Sequence, residues 1–389
     1  MFERIFKLSE HKTTVKTEVM AGITTFMTMA YILAVNPSVL GSTGMDTTAV
    51  LLATALASCL GTLCMAFMAN LPFALSAGMG LNAFMAYTVV AGYGYSWQVA
   101  LLAVFIEGLI FIVLSLTNVR EAIFNAIPLT LKKGVSVGIG LFIAFIGLQN
   151  SGLCVDSATL VGIISFPENF HTAGICALLT LIGLFFTAVF YTRKMKGAIL
   201  YGILLTWILG MLCQVTGLYV PTPDAGFYSL FPSWGMTDFS RLGLTFGQCF
   251  NVDFSAVGIV NFIVVIFSFL FVDIFDTLGT LIGVATKAKM LDKDGKLPGI
   301  KPALLADSIA TSAGAILGTS TTTTFVESAS GVAVGGRTGL TALVTGILFL
   351  VSTLFAPIFT AIPSFATAPA LIMVGFLMVG TVTEINFDL

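Results

Sequence analysis

Residues 318–336 read GTSTTTTFVESASGVAVGG, a run of small and hydroxyl-bearing residues with a single carboxylate at Glu327. The run lies between two apolar stretches of a chain that is 57% hydrophobic and only 9% charged. Backbone groups at membrane depth need hydrogen-bond partners, so an irregular polar segment there has to be covered by protein. The placement of this run therefore decides the fold.

The composition of the 389-residue chain is that of an integral membrane protein. Ordinary soluble domains carry about a quarter charged residues, far more than this chain does. Apolar runs of about 20 residues recur along most of its length, without the period-two alternation of transmembrane barrel strands. The sequence therefore predicts an all-α polytopic membrane protein.

Polar breaks divide the chain into twelve predicted segments, of which the third and tenth have weak hydropathy. If all twelve cross the membrane and the N-terminus is cytoplasmic, every Lys and Arg except Arg241 falls on the inner side. This asymmetry follows the positive-inside rule and predicts a cytoplasmic N-terminus. The predicted segments lie near 18–40, 48–69, 73–92, 96–117, 133–150, 172–191, 197–219, 256–285, 302–318, 320–336, 339–360 and 366–382.

The third and tenth segments, LPFALSAGMGLNAFMAYTVV and TSTTTTFVESASGVAVGGRTG, share an unusual pattern. Each begins with a short extended-looking piece, passes through small and polar residues, and continues as a helix. The density of Gly, Ser and Thr favours a broken segment over a regular helix. The two segments are an odd number of crossings apart and so run in opposite directions. Such a pattern is typical of inverted repeats whose broken segments meet at a substrate site.

Five acidic residues stand out inside the predicted segments, where a charge costs about 2.5 kcal/mol or more. Asp273 and Asp276 lie three residues apart, on one helical face, and two carboxyl groups in a dry pocket favour the binding of a proton. Asp307 and Glu327 lie in the ninth and tenth segments, and Glu107 lies in the fourth without an identifiable partner. The structural alternative is that these acids cap broken helices or bond neighbouring Ser and Thr.

The third segment adds an amide and several glycines to the candidate site. Asn82 offers a hydrogen-bond donor and an acceptor at the depth of Glu327, or else serves as a helix-stabilising amide. Gly78 and Gly80, like Gly331, Gly335 and Gly336 of the tenth segment, would allow the backbone to approach a ligand closely. Asn82 and these glycines are therefore candidates for the same site.

The sequence contains no arrangement that predicts catalysis, and transport is the simpler interpretation. The six cysteines are scattered without a CxxC motif, so no metal or redox site is expected. His11 and His171 lie outside the predicted segments, and the glycine-rich pieces lack a nucleotide-binding pattern. A carboxylate can accept paired hydrogen bonds from a neutral ligand rich in N–H groups and can carry a coupling proton.

Several motifs resemble those of the nucleobase:cation symporter-2 superfamily, in particular the AzgA-like branch of purine permeases for adenine, guanine and hypoxanthine. The resemblance covers essentially the whole chain and lies in AGITTFMTMAYILAVNPSVL at 21–40, SAGMGLNAF at 76–84, FVDIFDTLGTLIGVA at 271–285, GTSTTTTFVESASGVAVGGRTGLTA at 318–342 and PSFATAPALIMVG at 363–375. It implies proton-coupled import of a purine nucleobase by alternating access across the bacterial cytoplasmic membrane. A uracil or xanthine permease, or an anion carrier of the same fold, is the alternative.

The resemblance also implies a UraA-like fold, an inverted repeat of seven plus seven transmembrane segments. Its core domain would comprise 1–117 and 256–360, and its gate domain 118–255 and 361–389. The last two spans of the family are expected to be missing from this chain. The short extended pieces of the third and tenth segments would pair at the centre, and a homodimer is expected.

The resemblance assigns roles to particular residues. Asp273 and Glu327 would hold the purine, together with Asn82 and Gly80 of the third segment. Asp276 and Asp307 would support coupling to the proton, which is the expected coupling ion. No metal, other cofactor or nucleic acid is implied.

Overall fold

The computed structural model describes residues 2–117, 119, 128–157, 160–222, 226–232, 235–253, 257–287, 290 and 297–385. Nine helices in these ranges are long and apolar enough to cross a membrane, and this confirms the predicted all-α polytopic class. They are Val15–Gly41, Thr47–Ala69, Trp97–Leu116, Lys133–Asn150, Phe166–Thr192, Ala198–Val215, Ile259–Ala285, Ile300–Leu317 and Gly339–Thr360.

The three remaining predicted segments are shorter. The third continues as the helix Met79–Gly92, the tenth contains the helix Ser328–Val334, and the twelfth is Ser364–Val379. The order of all twelve matches the prediction. We refer to them below as the first to the twelfth segment in chain order.

Capping residues explain several of the helix ends. The second segment begins after Asp46, whose carboxylate accepts a hydrogen bond of 2.9 Å from the Ala49 N–H. The fourth segment begins after Ser96, whose hydroxyl accepts from the Val99 N–H. The ninth segment ends at Gly318, whose φ of 102° lies in the left-handed region that favours glycine.

The third and tenth segments start as short strands that pair with each other inside the bundle. Strand β1 (Leu75–Ala77) is antiparallel to strand β4 (Thr322–Thr324), with Ser76 opposite Thr323. Strands β2 (Cys154–Ser157) and β3 (Leu160–Ile163), which follow the fifth segment, pair only with each other among the described strands. Strands β1 and β4 are each followed by a helix of their own segment. This confirms the discontinuous crossing predicted from Gly, Ser and Thr, and the pairing of the two extended pieces.

Hydrogen bonds extend the pairing beyond the two strands. The Gly78 N–H donates to the Thr321 carbonyl at 2.9 Å, and the Phe325 N–H donates to the Ala74 carbonyl at 3.0 Å. The Thr62 hydroxyl accepts from the Leu75 N–H at 3.0 Å. These bonds supply the partners that backbone at membrane depth requires, because water is not there to do so.

The helices pack in two groups around this centre. The first, second, fourth, ninth and eleventh segments pack against one another, and the fifth, sixth, seventh and twelfth form the other group. The eighth segment contacts both the fourth and the fifth. The predicted core and gate boundaries remain a prediction, and residues 118, 254–256 and 386–389 at those boundaries lie outside the described part of the chain.

Paired glycines allow close contact within the second group. A Cβ atom built on Gly140 would lie 2.7 Å from the Gly375 carbonyl oxygen, and one on Gly375 would collide with the Gly140 carbonyl oxygen. The fifth and twelfth segments therefore cross with their backbones in contact. Small residues at such crossings are typical of helix packing in membranes.

Candidate functional site

The eighth segment places three polar side chains toward the centre of the bundle. Asp276 lies three residues after Asp273, and Thr277 follows it directly. Asp273 and Thr277 are therefore one helical turn apart. Asp273 and Thr277 are fully buried, whereas Asp276 is half-buried. The Asp276 carboxylate lies beside Gly78, since a Cβ atom built there would be 3.4 Å from Oδ2. The acids of this helix therefore face the strand crossing.

The Thr277 hydroxyl joins the eighth, ninth and tenth segments. Its Oγ1 atom lies 2.8 Å from Asp273 Oδ1 and 3.2 Å from Asp307 Oδ2. It also lies 2.6 Å from the hydroxyl oxygen of Thr323 in β4. The other carboxylate oxygen of Asp307 accepts from the Thr324 N–H at 3.2 Å. Asp273 and Asp307 are thus brought to one point on the strand pair.

Glu327 lies where the tenth segment resumes as a helix. It immediately precedes Ser328–Val334, and its Oε1 atom accepts a hydrogen bond of 2.8 Å from the Tyr31 hydroxyl. Tyr31 is buried in the first segment, whereas Glu327 is half-buried. Glu327 and Asp307 also interact electrostatically with Asp276. The four predicted carboxylates therefore form one acidic group around the strand pair.

Asn82 is held in a buried network of amides and hydroxyls. Its Nδ2 donates to Asn36 Oδ1 at 2.6 Å, and its Oδ1 accepts from the Ser320 hydroxyl. Asn36 in turn donates to the hydroxyls of Thr54 at 2.7 Å and Thr319 at 3.0 Å. This network connects the first, second, third and tenth segments. It corresponds to the alternative role of Asn82 as an amide that stabilises the helices. A contact between Asn82 and substrate remains a prediction.

Gly80 lies where the helix of the third segment meets the fifth segment. A Cβ atom built on Gly80 would be 2.6 Å from Ile139 Cγ2. The glycine therefore lets the two helices approach closely. This packing role does not bear on the predicted contact of the Gly80 backbone with substrate, which stays a prediction.

Two further acids have roles that the sequence did not reveal. Glu107, for which no partner was identified, accepts a hydrogen bond of 2.9 Å from the Thr321 hydroxyl next to β4. Glu18 is fully buried, and its carboxylate accepts from the N–H groups of Arg337, Thr338 and Thr341 at 2.9 to 3.2 Å. The Thr341 hydroxyl donates to it at 2.6 Å. Glu18 thereby binds the N-terminus of Gly339–Ser352, where a negative charge is favourable.

Tyr31, Thr277 and Glu18 were all missed as candidates. Tyr31 lies within the motif at 21–40, but one tyrosine in an apolar run gives no sign of its partner. Thr277 follows Asp276 directly, but a threonine costs less to bury than the two carboxylates of the same helix and so does not stand out as a candidate. Glu18 lies at the very start of the predicted first segment, where an acid is usually solvated. Each is identified by its contact rather than by a local pattern.

The chemical character of the site is acidic. Stretches 18–40, 73–92, 259–285 and 302–336, which build it, contain no Lys or Arg. Carboxylates accept hydrogen bonds, and an ionised carboxylate donates none. The site therefore suits a ligand that presents N–H groups and is unfavourable for an anion.

Comparisons with known proteins agree with this architecture. A family model described as "Permease family" (Xan_ur_permease) matches residues 16–388. The chain is 46% identical to the guanine/hypoxanthine permease PbuG of Bacillus subtilis, over 98% of this chain and 84% of the relative. It is 42% identical to the adenine permease AdeP of Escherichia coli, over 100% of this chain and 82% of the relative.

A solved structure supports the fold. The transmembrane domain of the cyanobacterial bicarbonate transporter BicA superimposes with a TM-score of 0.68 at 16% identity, covering 96% of this chain and 90% of that domain. At this identity the likeness concerns the fold alone. From the family model and the relatives together, the chain belongs to the Xan_ur_permease family of membrane permeases, the nucleobase:cation symporter-2 family.

Proposed function

We propose that this protein imports purine nucleobases, namely adenine, guanine or hypoxanthine, by alternating access. The observation that carries the proposal is the convergence of Asp273 and Glu327 on the crossing of two broken segments. Relatives that are 42% and 46% identical bear the names adenine permease and guanine/hypoxanthine permease. The family and the acidic site thus point to the same class of ligand.

The chemistry of a purine suits the two carboxylates. A neutral purine presents several N–H groups along its edges, and a carboxylate can accept two parallel hydrogen bonds. Asp273 is held by Thr277 and Glu327 by Tyr31, so each acceptor has a fixed position before the ligand arrives. Such preorganisation reduces the ordering that binding would otherwise require.

Import is coupled to protons in this proposal, with Asp276 and Asp307 as the supporting carboxyl groups. Both lie next to the purine-binding acids, Asp276 through electrostatic interaction and Asp307 through Thr277. One proton moving inward gains about 2.3 kcal/mol per 100 mV of membrane potential. That free energy corresponds to roughly fiftyfold accumulation of a neutral purine, which is adequate for salvage.

The proposed setting is the bacterial cytoplasmic membrane, with the N-terminus in the cytoplasm. The distribution of Lys and Arg between the predicted loops supports this orientation. A homodimer is the proposed assembly, on the resemblance to the family alone. The core domain would carry the bound purine past the gate domain.

An anion carrier is the alternative of another class, because the bicarbonate transporter BicA has a similar fold. The acidic residues and the lack of Lys or Arg in the site-forming stretches disfavour an anion. A uracil or xanthine permease stays within the same chemistry, and competition between bases distinguishes it from a purine permease.

Uptake of radiolabelled hypoxanthine tests the proposal, in cells that lack their own purine permeases. Unlabelled adenine, guanine, uracil, xanthine and bicarbonate serve as competitors, with and without protonophore. Saturable uptake that purines inhibit and protonophore abolishes is the expected result. Well-expressed protein that takes up no purine, or uptake that only bicarbonate inhibits, would contradict it.

A further inference from the structure

The contacts of the Thr277 hydroxyl impose a count of hydrogen atoms. Its oxygen lies within hydrogen-bond distance of one oxygen each of Asp273, Asp307 and Thr323. A hydroxyl contributes one hydrogen and accepts at two lone pairs. Three hydrogen bonds at this oxygen need three hydrogens, of which Thr277 supplies one and Thr323 supplies another. Unless the Thr277 hydrogen is shared between the two carboxylates, the third is a proton on Asp273 or Asp307.

The distances favour Asp307 as the carrier of that proton. Hydrogen bonds to an ionised acceptor are shorter than those between neutral groups. Thr277 lies 2.8 Å from Asp273 and 3.2 Å from Asp307, so Asp273 is the better-placed acceptor for the Thr277 hydrogen. Oδ1 of Asp307 accepts from the Thr324 N–H, and Oδ2 faces the Thr277 hydroxyl, so a proton on Oδ2 can be donated to Thr277.

We propose that Thr277 is the positioning residue that couples a proton on Asp307 to the purine acceptor Asp273. This inference rests on the proposed proton-coupled import of purines and assigns the coupling to a specific contact. With Asp307 protonated, the Thr277 hydrogen points to Asp273 and fixes its carboxylate for the purine. When the proton leaves Asp307 for water, one hydrogen is shared by two carboxylates and Asp273 loses its fixed position.

The arrangement also sets the direction of the pH effect. Purine binds tightly to the form with Asp307 protonated, so binding weakens as rising pH removes that proton. Linkage requires the reverse as well, because bound purine strengthens the hold of Asp307 on its proton. Loss of the proton on the inner side therefore weakens the binding of the purine, and loss of the purine weakens the binding of the proton.

Other groups that titrate lie on the segments around the strand pair, and the test has to separate them from Asp307. Asp276 is on the same helix, Glu107 comes from the fourth segment, and Glu327 and Tyr31 come from the tenth and first. The fifth segment, which also packs against this helix, carries Lys133 at its start. Substitutions that change only the Thr277 contact are therefore needed.

The affinity of the purified, lipid-reconstituted protein for radiolabelled hypoxanthine, measured over a range of pH, provides that test. The wild type should weaken about tenfold per pH unit above the titration of Asp307, because one proton is linked to binding. Thr277→Val, which removes the hydroxyl at nearly constant volume, should weaken binding and flatten this slope. Thr277→Ser keeps the hydroxyl and should keep the slope. A merely structural role of Thr277 would not predict this difference between the two variants.

Asp307→Asn is the mimic of the protonated state. Its amide oxygen can accept from the Thr324 N–H, and its NH₂ group can donate to Thr277. This variant should bind hypoxanthine with the low-pH affinity of the wild type at every pH. Thr187→Val is the matched control, because the buried Thr187 hydroxyl bonds to the Gly183 carbonyl within its own helix. An unchanged slope in Thr277→Val, or wild-type pH dependence in Asp307→Asn, would overturn the proposal.

Infrared spectroscopy without purine separates this inference from the proposed function. A neutral carboxyl group has its own carbonyl stretch, which should disappear in Asp307→Asn and shift in Thr277→Val. If both changes occur and the wild type binds no purine, the proton site stands and the proposed substrate is wrong. If neither change occurs, the proton is not on Asp307 and the inference fails, whatever the protein transports.

Discussion

The Tyr31 hydroxyl donates a hydrogen bond of 2.8 Å to Glu327 Oε1, although 296 residues separate the two in the chain. The contact joins the first segment to the point where the tenth segment resumes as a helix. The position of the Glu327 carboxylate therefore depends on both segments. A ligand that binds Glu327 meets an acceptor that is already held on one side.

Tyr31→Phe should weaken purine binding about tenfold while the protein stays folded. The ring remains in place, but Glu327 loses a hydrogen bond of the charged type, which contributes about 1.5–3 kcal/mol. The KM of hypoxanthine uptake measures the effect. Tyr87→Phe is the matched control, because the Tyr87 hydroxyl is bonded to Asn150 away from the carboxylates. Equal KM values for wild type and Tyr31→Phe would show that this contact does not position Glu327.

The buried amides Asn36 and Asn82 should behave as a unit. Each is bonded to the other at 2.6 Å, so removing either side chain breaks the same network. We expect Asn36→Ala and Asn82→Ala each to lower uptake at least tenfold, and the double variant to be no worse than either one. Uptake corrected for the amount of protein in the membrane gives the comparison. Fully additive losses would instead indicate that Asn82 acts independently of Asn36, as a direct ligand would.

Gly331→Ala should loosen the helix of the tenth segment. A Cβ atom there would collide with the Thr25 hydroxyl and lie 2.7 Å from the Ala21 carbonyl oxygen in the first segment. Thermal unfolding in detergent should show a lower midpoint, and uptake should fall. Gly279→Ala is the control, since nothing lies within 4 Å of a Cβ atom at that exposed helical site. A midpoint for Gly331→Ala as high as that of Gly279→Ala would contradict the close packing of the two segments.

Glu18→Ala should lower the free energy of unfolding by about 3 kcal/mol or more. Three backbone N–H groups and one hydroxyl would lose their acceptor, and each unsatisfied buried donor costs about 1 kcal/mol or more. Glu18→Gln keeps one acceptor oxygen and should show a smaller loss. The midpoint of thermal unfolding is the readout. Identical midpoints for Glu18→Ala and wild type would show that Glu18 does not hold the eleventh segment.

Much of the fold followed from the cost of placing polar groups in a membrane. The run from Gly318 to Gly336 was identified as a broken crossing because Gly, Ser and Thr are poor choices for a regular buried helix. The structure places strand β4 and a short helix there. The same reasoning predicts Asp273, Asp276, Asp307 and Glu327 as candidate site residues, because a carboxylate inside a membrane is costly and marks a functional site by default.

The hydroxyl partners could not be found in this way. Burying the hydroxyl of a Thr or Tyr costs less free energy than burying a carboxylate. Thr277 and Tyr31 therefore do not stand out from a run of apolar residues. Apart from Asp273, one helical turn before Thr277, their partners lie 30 to 296 residues away in the chain, and no local period indicates such a contact. Asn82 was identified from the sequence, but its role was not, because an amide can bind a ligand or join a buried hydrogen-bond network. Its contacts with Asn36 and Ser320 show that it belongs to a network.

Binding of radiolabelled hypoxanthine to the purified protein tests the central claim, that Asp273 and Glu327 hold a purine. Asp273→Asn and Glu327→Gln keep the side-chain volumes and should each weaken binding at least a hundredfold. Glu107→Gln, a buried acid whose oxygen can still accept from Thr321, should bind within a few fold of the wild type. Wild-type affinity in either Asp273→Asn or Glu327→Gln would contradict the assignment of that residue, and wild-type affinity in both would contradict the site.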